Sequence, residues 1–196
     1  MNLNQWHKII RTVLVIIPVV FLMWLITQDL VVSGRLTAEY NFHDASPFVL
    51  TLAPKSRISA ITQEGAVYYQ SLYDDPVYFD VRLPRPFRTI TFWVTYRADD
   101  GEIVRLAAFA NKDQWSFEVK DFEAVVDLGN GWYEGRVSFN LDGKRFAFQK
   151  YQFMFSLPAI RDSGRQVDVA DIRMTAEREQ LTADKVLRKV KSLWEE

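Results

Sequence analysis

The chain has no cysteine and only two histidines, His7 and His43. Without thiols there are no disulfides, no thiolate nucleophile and no cysteine-ligated zinc, and two imidazoles are too few for a histidine metal cage. An excess of charge of one sign is also lacking: 24 Lys and Arg stand against 25 Asp and Glu, a net charge of −1. No basic surface is available on the scale that neutralises phosphates, so nucleic acid is not an expected partner. The sequence contains no Gly-x-Ser-x-Gly elbow, no phosphate-binding loop, no Gly-x-Gly-x-x-Gly turn and no His-x-x-x-His pair. A serine–histidine–aspartate triad in the region after the apolar run would have to use His43, and no carboxylate pair stands out as a glycosidase dyad among the many Asp and Glu. The expectation is a protein that is not an enzyme and needs no cofactor.

What is present begins with one long apolar run. Residues 12–28, TVLVIIPVVFLMWLITQ, carry no charge, and apolar character resumes as Leu-Val-Val after Asp29. That is about the 20 residues a helix needs to cross the hydrocarbon, and it predicts a transmembrane helix over 12–32. Pro18 is tolerated in such a helix, and Trp6 and Trp24 are of the type enriched near membrane interfaces. Lys8 and Arg11 precede the run, whereas Arg35 after it is balanced by Glu39 and Asp44. This bias places residues 1–11 in the cytoplasm and the rest of the chain on the extracytoplasmic side. The competing reading is a cleaved secretory signal, with Val32 and Gly34 near the cut; the run is longer than the usual apolar core of such signals, which favours the anchor.

The second abundance is aromatic: 14 Phe, 8 Tyr and 6 Trp, 14% of the chain. Aromatic rings suit pleated, half-buried surfaces, and the pattern beyond Gly34 has the period of strands. Leu36, Ala38, Tyr40 and Phe42 alternate with polar neighbours. Val77, Phe79, Val81 and Leu83 share one face of the next clear strand, with Tyr78, Asp80 and Arg82 on the other. Ile90, Phe92, Val94 and Tyr96 point inward in turn, with Thr91, Trp93 and Thr95 outward. Further strands read in EIVRLAAFA, WSFEVKDF, GWYEGRVSFNL, YQFMFSL and QVDVADIRMTAE, each short and bounded by turn residues. Short strands with one apolar face each, and no helical period between them, predict an antiparallel β-sandwich over 35–177. Residues 181–196 differ. Thr182 is an N-cap candidate, and Val186, Leu187, Val190, Leu193 and Trp194 recur at helical spacing opposite Lys185, Arg188, Lys189 and Lys191, which predicts a short amphipathic helix. That helix packs on the sandwich, lies on a membrane or docks on a partner through Leu187, Val190, Leu193 and Trp194.

Two stretches carry a family resemblance. LGNGWYEGRVSFNL, with Gly131, Trp132 and Tyr133 leading into a strand, and YQFMFSLPAIRDSGRQVDVADIRMTAE, with Asp171, Ile172 and Arg173 in its last strand, resemble the jelly-roll sandwiches of the galactose-binding-like superfamily, which includes many carbohydrate-binding modules. Ser46 to Phe48 after the first strand fits loosely. The resemblance implies a jelly-roll fold and non-catalytic binding of a glycan or other envelope polymer. It does not place the ligand, because fold does not fix the site.

Sugar recognition needs flat rings for the apolar sugar face and planar polar groups for the hydroxyls. Trp93 is the leading candidate, with Tyr78, Asp80 and Arg82 as a polar-aromatic row on a neighbouring strand. Trp115 and Trp132 stand near turns, either as ligand-facing rings or as plugs at the ends of the core. Asp74, Asp75, Asp99, Asp100 and Asp113 are loop carboxylates that would suit a calcium ion, but none has the spacing of a calcium loop. The alternative to glycan binding is an accessory subunit of a membrane complex, using the sandwich and the C-terminal helix for protein contacts.

Overall fold

The computed structural model describes residues 6, 10–20, 34–98, 103–111, 115–144, 147, 149–158, 160 and 164–178. Two units separate by contacts, Met1–Ser33 and Gly34–Glu196. In the first, residues 10–20 are helical, with Leu14, Val15 and Ile17 exposed. No helix among the described residues is long and apolar enough to cross a membrane. The rest of the predicted span, 21–32, and the predicted helix 181–196 with Leu187, Val190, Leu193 and Trp194 lie outside the described residues.

The second unit is built from strands, most of them where apolar and polar residues alternate. They are β1 (Arg35–Tyr40), β2 (Thr62–Glu64), β3 (Val67–Leu72), β4 (Val77–Arg82), β5 (Thr89–Ala98), β6 (Arg105–Asn111), β7 (Ser116–Asp121), β8 (Ala124–Gly129), β9 (Trp132–Asn140), β10 (Lys150–Ser156) and β11 (Val167–Glu177). A 3-10 turn covers Lys55–Arg57. All strand pairings are antiparallel. Among the described residues one sheet has seven strands, in the order β2-β3-β11-β5-β9-β8 with β1 also on β11; the other has four, β4-β10-β6-β7. From β3 onward the chain repeatedly crosses from one sheet to the other, as in a jelly roll.

Two local features shape the sheets. β11 pairs along one edge with β5, while its other edge is shared: β3 takes Val167 to Val169 and β1 takes Ile172 to Glu177. The register shifts between Val169 and Asp171, a bulge that lets one long strand serve both partners. Outside β4, residues 48–53 add a ragged fifth edge to the small sheet, through Leu50 N–H to Asp80 O and a reciprocal pair between Ala53 and Tyr78.

Between the sheets lies an interlock of phenylalanines. Phe79 and Phe153 from the small sheet meet Phe92 from the large one at ring separations of 5.8 and 4.7 Å, and Phe139 closes on Phe153 at 5.8 Å. Each such ring contributes about 1.5–3 kcal/mol by leaving water, and edge-to-face contacts add to it. The open side beside β7 is closed by polar groups: Lys120 donates to Ser138 O at 2.8 Å beneath the Phe139 ring, and Lys144 pairs with Glu118. Burial pushes the Lys144 ammonium below its ordinary value.

At Gly135 on β9, the missing side chain is replaced by the Phe122 ring, which stacks on Tyr96 at 5.5 Å. A Cβ there would fall 2.5 Å from the ring. The Gly135→Ala variant is therefore expected to lose about 1–3 kcal/mol of stability through overpacking. Thermal unfolding beside the wild type measures it; an unchanged midpoint would show that Phe122 moves aside freely.

Candidate functional site

Because Phe79 and Phe92 face each other across the core, residues alternating with them on β4 and β5 point to opposite sides of the molecule. Trp93 and Trp132 lie on the outer face of the seven-stranded sheet, whereas Tyr78, Asp80 and Arg82 belong to the four-stranded one and Trp115, just before β7, packs on its Phe109. The expectation that Trp93 and the Tyr78 row sit on neighbouring strands is corrected here: β4 and β5, consecutive in sequence, enter different sheets.

The outer face of the large sheet is a lattice of ion pairs. Arg97 is its strongest node. Its Nε and Nη2 donate to Asp168 Oδ2 at 3.0 and 2.9 Å and its Nη1 donates to Glu64 Oε2 at 3.0 Å. Its guanidinium also lies 4.7 Å from the Trp132 ring centroid and 5.2 Å from that of Tyr69. Asp168 is 3% exposed, and with Gln166 Nε2 donating to its Oδ1 at 3.2 Å both of its oxygens are hydrogen-bonded. One side chain thereby ties β2, β3, β5, β9 and β11 together. Trp132 is neither a plug in the core nor a bare platform, since a cation covers it. Trp93 is flanked in register by Arg136 and Arg173, and the Arg136 guanidinium lies 5.7 Å from its ring centroid.

Toward the bulge this face holds a cleft of about 420 Å³, whose lining includes Glu39, His43, Tyr68, Thr95 and Asp171. His43 stacks on Tyr68 at 4.6 Å. Asp171 Oδ1 is buried and has no hydrogen-bond partner among the described residues. Burial first, and then the Glu39 carboxylate, raise the Asp171 carboxyl from the ordinary 3.8 to about 7, against a smaller lowering by the Ile172 N–H. Arg173 Nε stands 3.1 Å from Asp171 Oδ2, but Arg173 also serves Glu134, so its charge is shared.

The four-stranded sheet presents a different surface. Ala107 and Phe109 face outward on β6 yet are 0% and 2% exposed. Phe117 and Trp115 pack edge-on against Phe109 at 5.5 and 5.6 Å, and Tyr78 reaches from the opposite edge strand to within 5.9 Å of Phe117. The two edges of the sheet thus meet over its middle strands as an aromatic canopy. Trp115 is 59% exposed at its rim, not a core plug.

Beside the canopy opens a cleft of about 350 Å³ whose lining includes Pro54, Arg57, Pro76, Tyr78, Asp80 and Gln152. Asp80 and Gln152 are direct cross-strand partners. Asp80 Oδ2 receives Lys150 Nζ at 2.8 Å. Asp80 Oδ1 and Gln152 Oε1 are buried without a hydrogen-bond partner among the described residues. Two adjacent buried acceptors with no donor are costly unless something else donates to them. Arg82, two residues along β4, is exposed and lies outside this cleft. The pairing of Asp80 with Gln152 was beyond sequence reasoning, since they lie 72 positions apart; only the outward phase of β4 was readable.

Of the loop aspartates, Asp74 pairs with Arg57 at 3.6 Å and Asp75 Oδ1 accepts the Leu157 N–H at 2.8 Å. Asp99, Asp100 and Asp113 lie outside the described residues. Among the described residues no group of three or more His, Asp or Glu is placed to hold a metal ion.

No protein-family model matches this chain, and no curated protein matches it in sequence. Among solved structures it is similar to the CBM22-1 xylan-binding domain from Paenibacillus barcinonensis Xyn10C, at 6% identity over 72% of this chain and 94% of that one, with a TM-score of 0.49. It is also similar to the CBM22-2 xylan-binding domain of the same protein, at 12% identity over 72% and 98% with a TM-score of 0.45. A third likeness is to a xylan-binding module CBM15, at 12% identity over 74% and 99%, again with a TM-score of 0.45. These neighbours are carbohydrate-binding modules, the class to which the sequence resemblance pointed. At TM-scores below 0.5 they carry neither the fold nor the site, which stand on the strand pairing and side-chain geometry above.

The raised Asp171 carboxyl has a definite consequence for stability. With a folded pKa above the unfolded one, its contribution is present in full below about pH 4 and is lost as pH rises toward and through about 7. Asp171→Asn is expected to match the wild type in acid and to exceed it in melting temperature at pH 8. Melting curves at both pH values test this; an offset independent of pH would show that Asp171 does not titrate in this range.

Proposed function

We propose that the chain is a membrane-anchored, non-catalytic module that binds a cell-envelope glycan on the extracytoplasmic side, at the cleft on the four-stranded sheet. The observation that carries this reading is the pair of unpartnered acceptors, Asp80 Oδ1 and Gln152 Oε1, next to the half-buried Tyr78 ring. Sugar hydroxyls donate to such oxygens, and the C–H face of a sugar packs on an aromatic ring. The anchor rests on the uncharged run 12–28 and the Lys8–Arg11 bias before it. Glycan binding by the full-length chain in detergent, measured against a panel of envelope polysaccharides, should weaken by about tenfold or more, about 1.4 kcal/mol, in Tyr78→Ala and Asp80→Ala. Trp93→Ala, on the far side of the sandwich, should leave it unchanged. Equal loss in Trp93→Ala would move the site to the other sheet.

A second reading, an accessory subunit of a membrane assembly, draws on β8. This strand is at the edge of its sheet, exposed along its length, with Val125, Val126 and Leu128 each about half exposed. A folded wild-type protein that binds no polysaccharide would favour it. Topology is tested separately. Protease added to intact cells should digest the sandwich; protection until lysis would overturn the exported placement.

A further inference from the structure

We infer that the Asp80–Gln152 cleft selects neutral glycans and discriminates against anionic ones, an inference that rests on the glycan reading above. The cations at the cleft already hold protein oxygens: Lys150 Nζ is 2.8 Å from Asp80 Oδ2, Arg57 Nη1 donates to Pro76 O at 2.6 Å, and Arg57 Nε faces Asp74 Oδ2 at 3.6 Å. Arg57 and Lys150 balance Asp74 and Asp80 in formal charge, so these four groups leave no surplus cation for an anionic ligand. What remains for a ligand is the acceptor-only Asp80 Oδ1 together with the Gln152 amide. The amide accepts through its oxygen, so both groups ask a ligand for a donor.

A neutral sugar meets this demand with two adjacent hydroxyls, one donated to Asp80 Oδ1 and the other matched to Gln152. A uronic acid or sulfated sugar brings an oxyanion against a carboxylate oxygen that has no donor to share, and like charges in a partly dry cleft repel. An ammonium sugar is drawn to Asp80 Oδ1 and opposed by Lys150 and Arg57, and gains nothing over a hydroxyl.

The test measures binding of the full-length chain in detergent to three sets of soluble oligosaccharides of equal length: neutral hexose and pentose oligomers, glucosamine oligomers and oligogalacturonates. Neutral oligomers are expected to bind about tenfold or more tighter than oligogalacturonates. Asp80→Asn, which keeps the shape and adds a donor, should shrink that ratio, whereas Tyr78→Ala should weaken all sets alike; melting curves confirm that both variants fold. Oligogalacturonates binding as tightly as neutral oligomers, with the ratio unmoved by Asp80→Asn, would overturn the selectivity and leave the glycan reading standing. Tighter binding of glucosamine oligomers would do the same. No binding in any set would overturn the glycan reading and the selectivity with it.

Discussion

The structure of the sandwich depends on the facing phenylalanines. Phe79, Phe153 and Phe155 from one sheet and Phe92 and Phe139 from the other occupy the inner positions of four strands. A strand alternates its side chains between two faces, so committing these rings to the core commits their neighbours to the outside. Tyr78 and Asp80 face out because Phe79 faces in; Trp93 faces out because Phe92 faces in. A slip of one residue in register would exchange core and surface along the whole strand, and the rings make that slip prohibitive.

With the phase settled, the two outer faces follow different physics. On the large sheet, neighbouring strands bring Arg97, Arg136 and Arg173 beside Glu64, Glu134, Asp168 and Asp171, and most of these charges find each other. Such a face is stable in water and satisfied, with its exception at Asp171 near the bulge. On the small sheet, Phe109, Phe117 and Trp115 gather over small Ala107 and draw in Tyr78. Tyr78 belongs both to the canopy and to the cleft where Asp80 and Gln152 keep unpartnered oxygens.

Much of the architecture was readable in the sequence. The inward sets on β4 and β5 alternate as the periodicity predicts, and the sandwich class follows from many short strands with one apolar face each. β8 was not readable, because Ala-Val-Val-Asp-Leu-Gly at an open edge is exposed on both faces and shows no alternation to detect. The roles of Trp115 and Trp132 were also hidden. A tryptophan near a turn is compatible with core, clamp or rim, and only the approach of Arg97 and Phe109 distinguishes them.

The sequence alone determined which residues of the clearly alternating strands, β4 and β5 among them, turn inward, since a period of two is a local property of the chain and needs no knowledge of partners. It also determined the apolar run of 12–28 and the charge bias before it, which are properties of composition. The tertiary structure decided which outward rows share a surface. That depends on the sheet each strand joins, and β4 and β5, adjacent in sequence, join different ones. It likewise decided that Asp80 meets Gln152 with an oxygen to spare, and that Asp171 is buried, with the Glu39 carboxylate adding to the effect, so that its carboxyl is raised to about 7. Hydrogen bonding and charge act over a few ångströms in space, and strand order sets those distances.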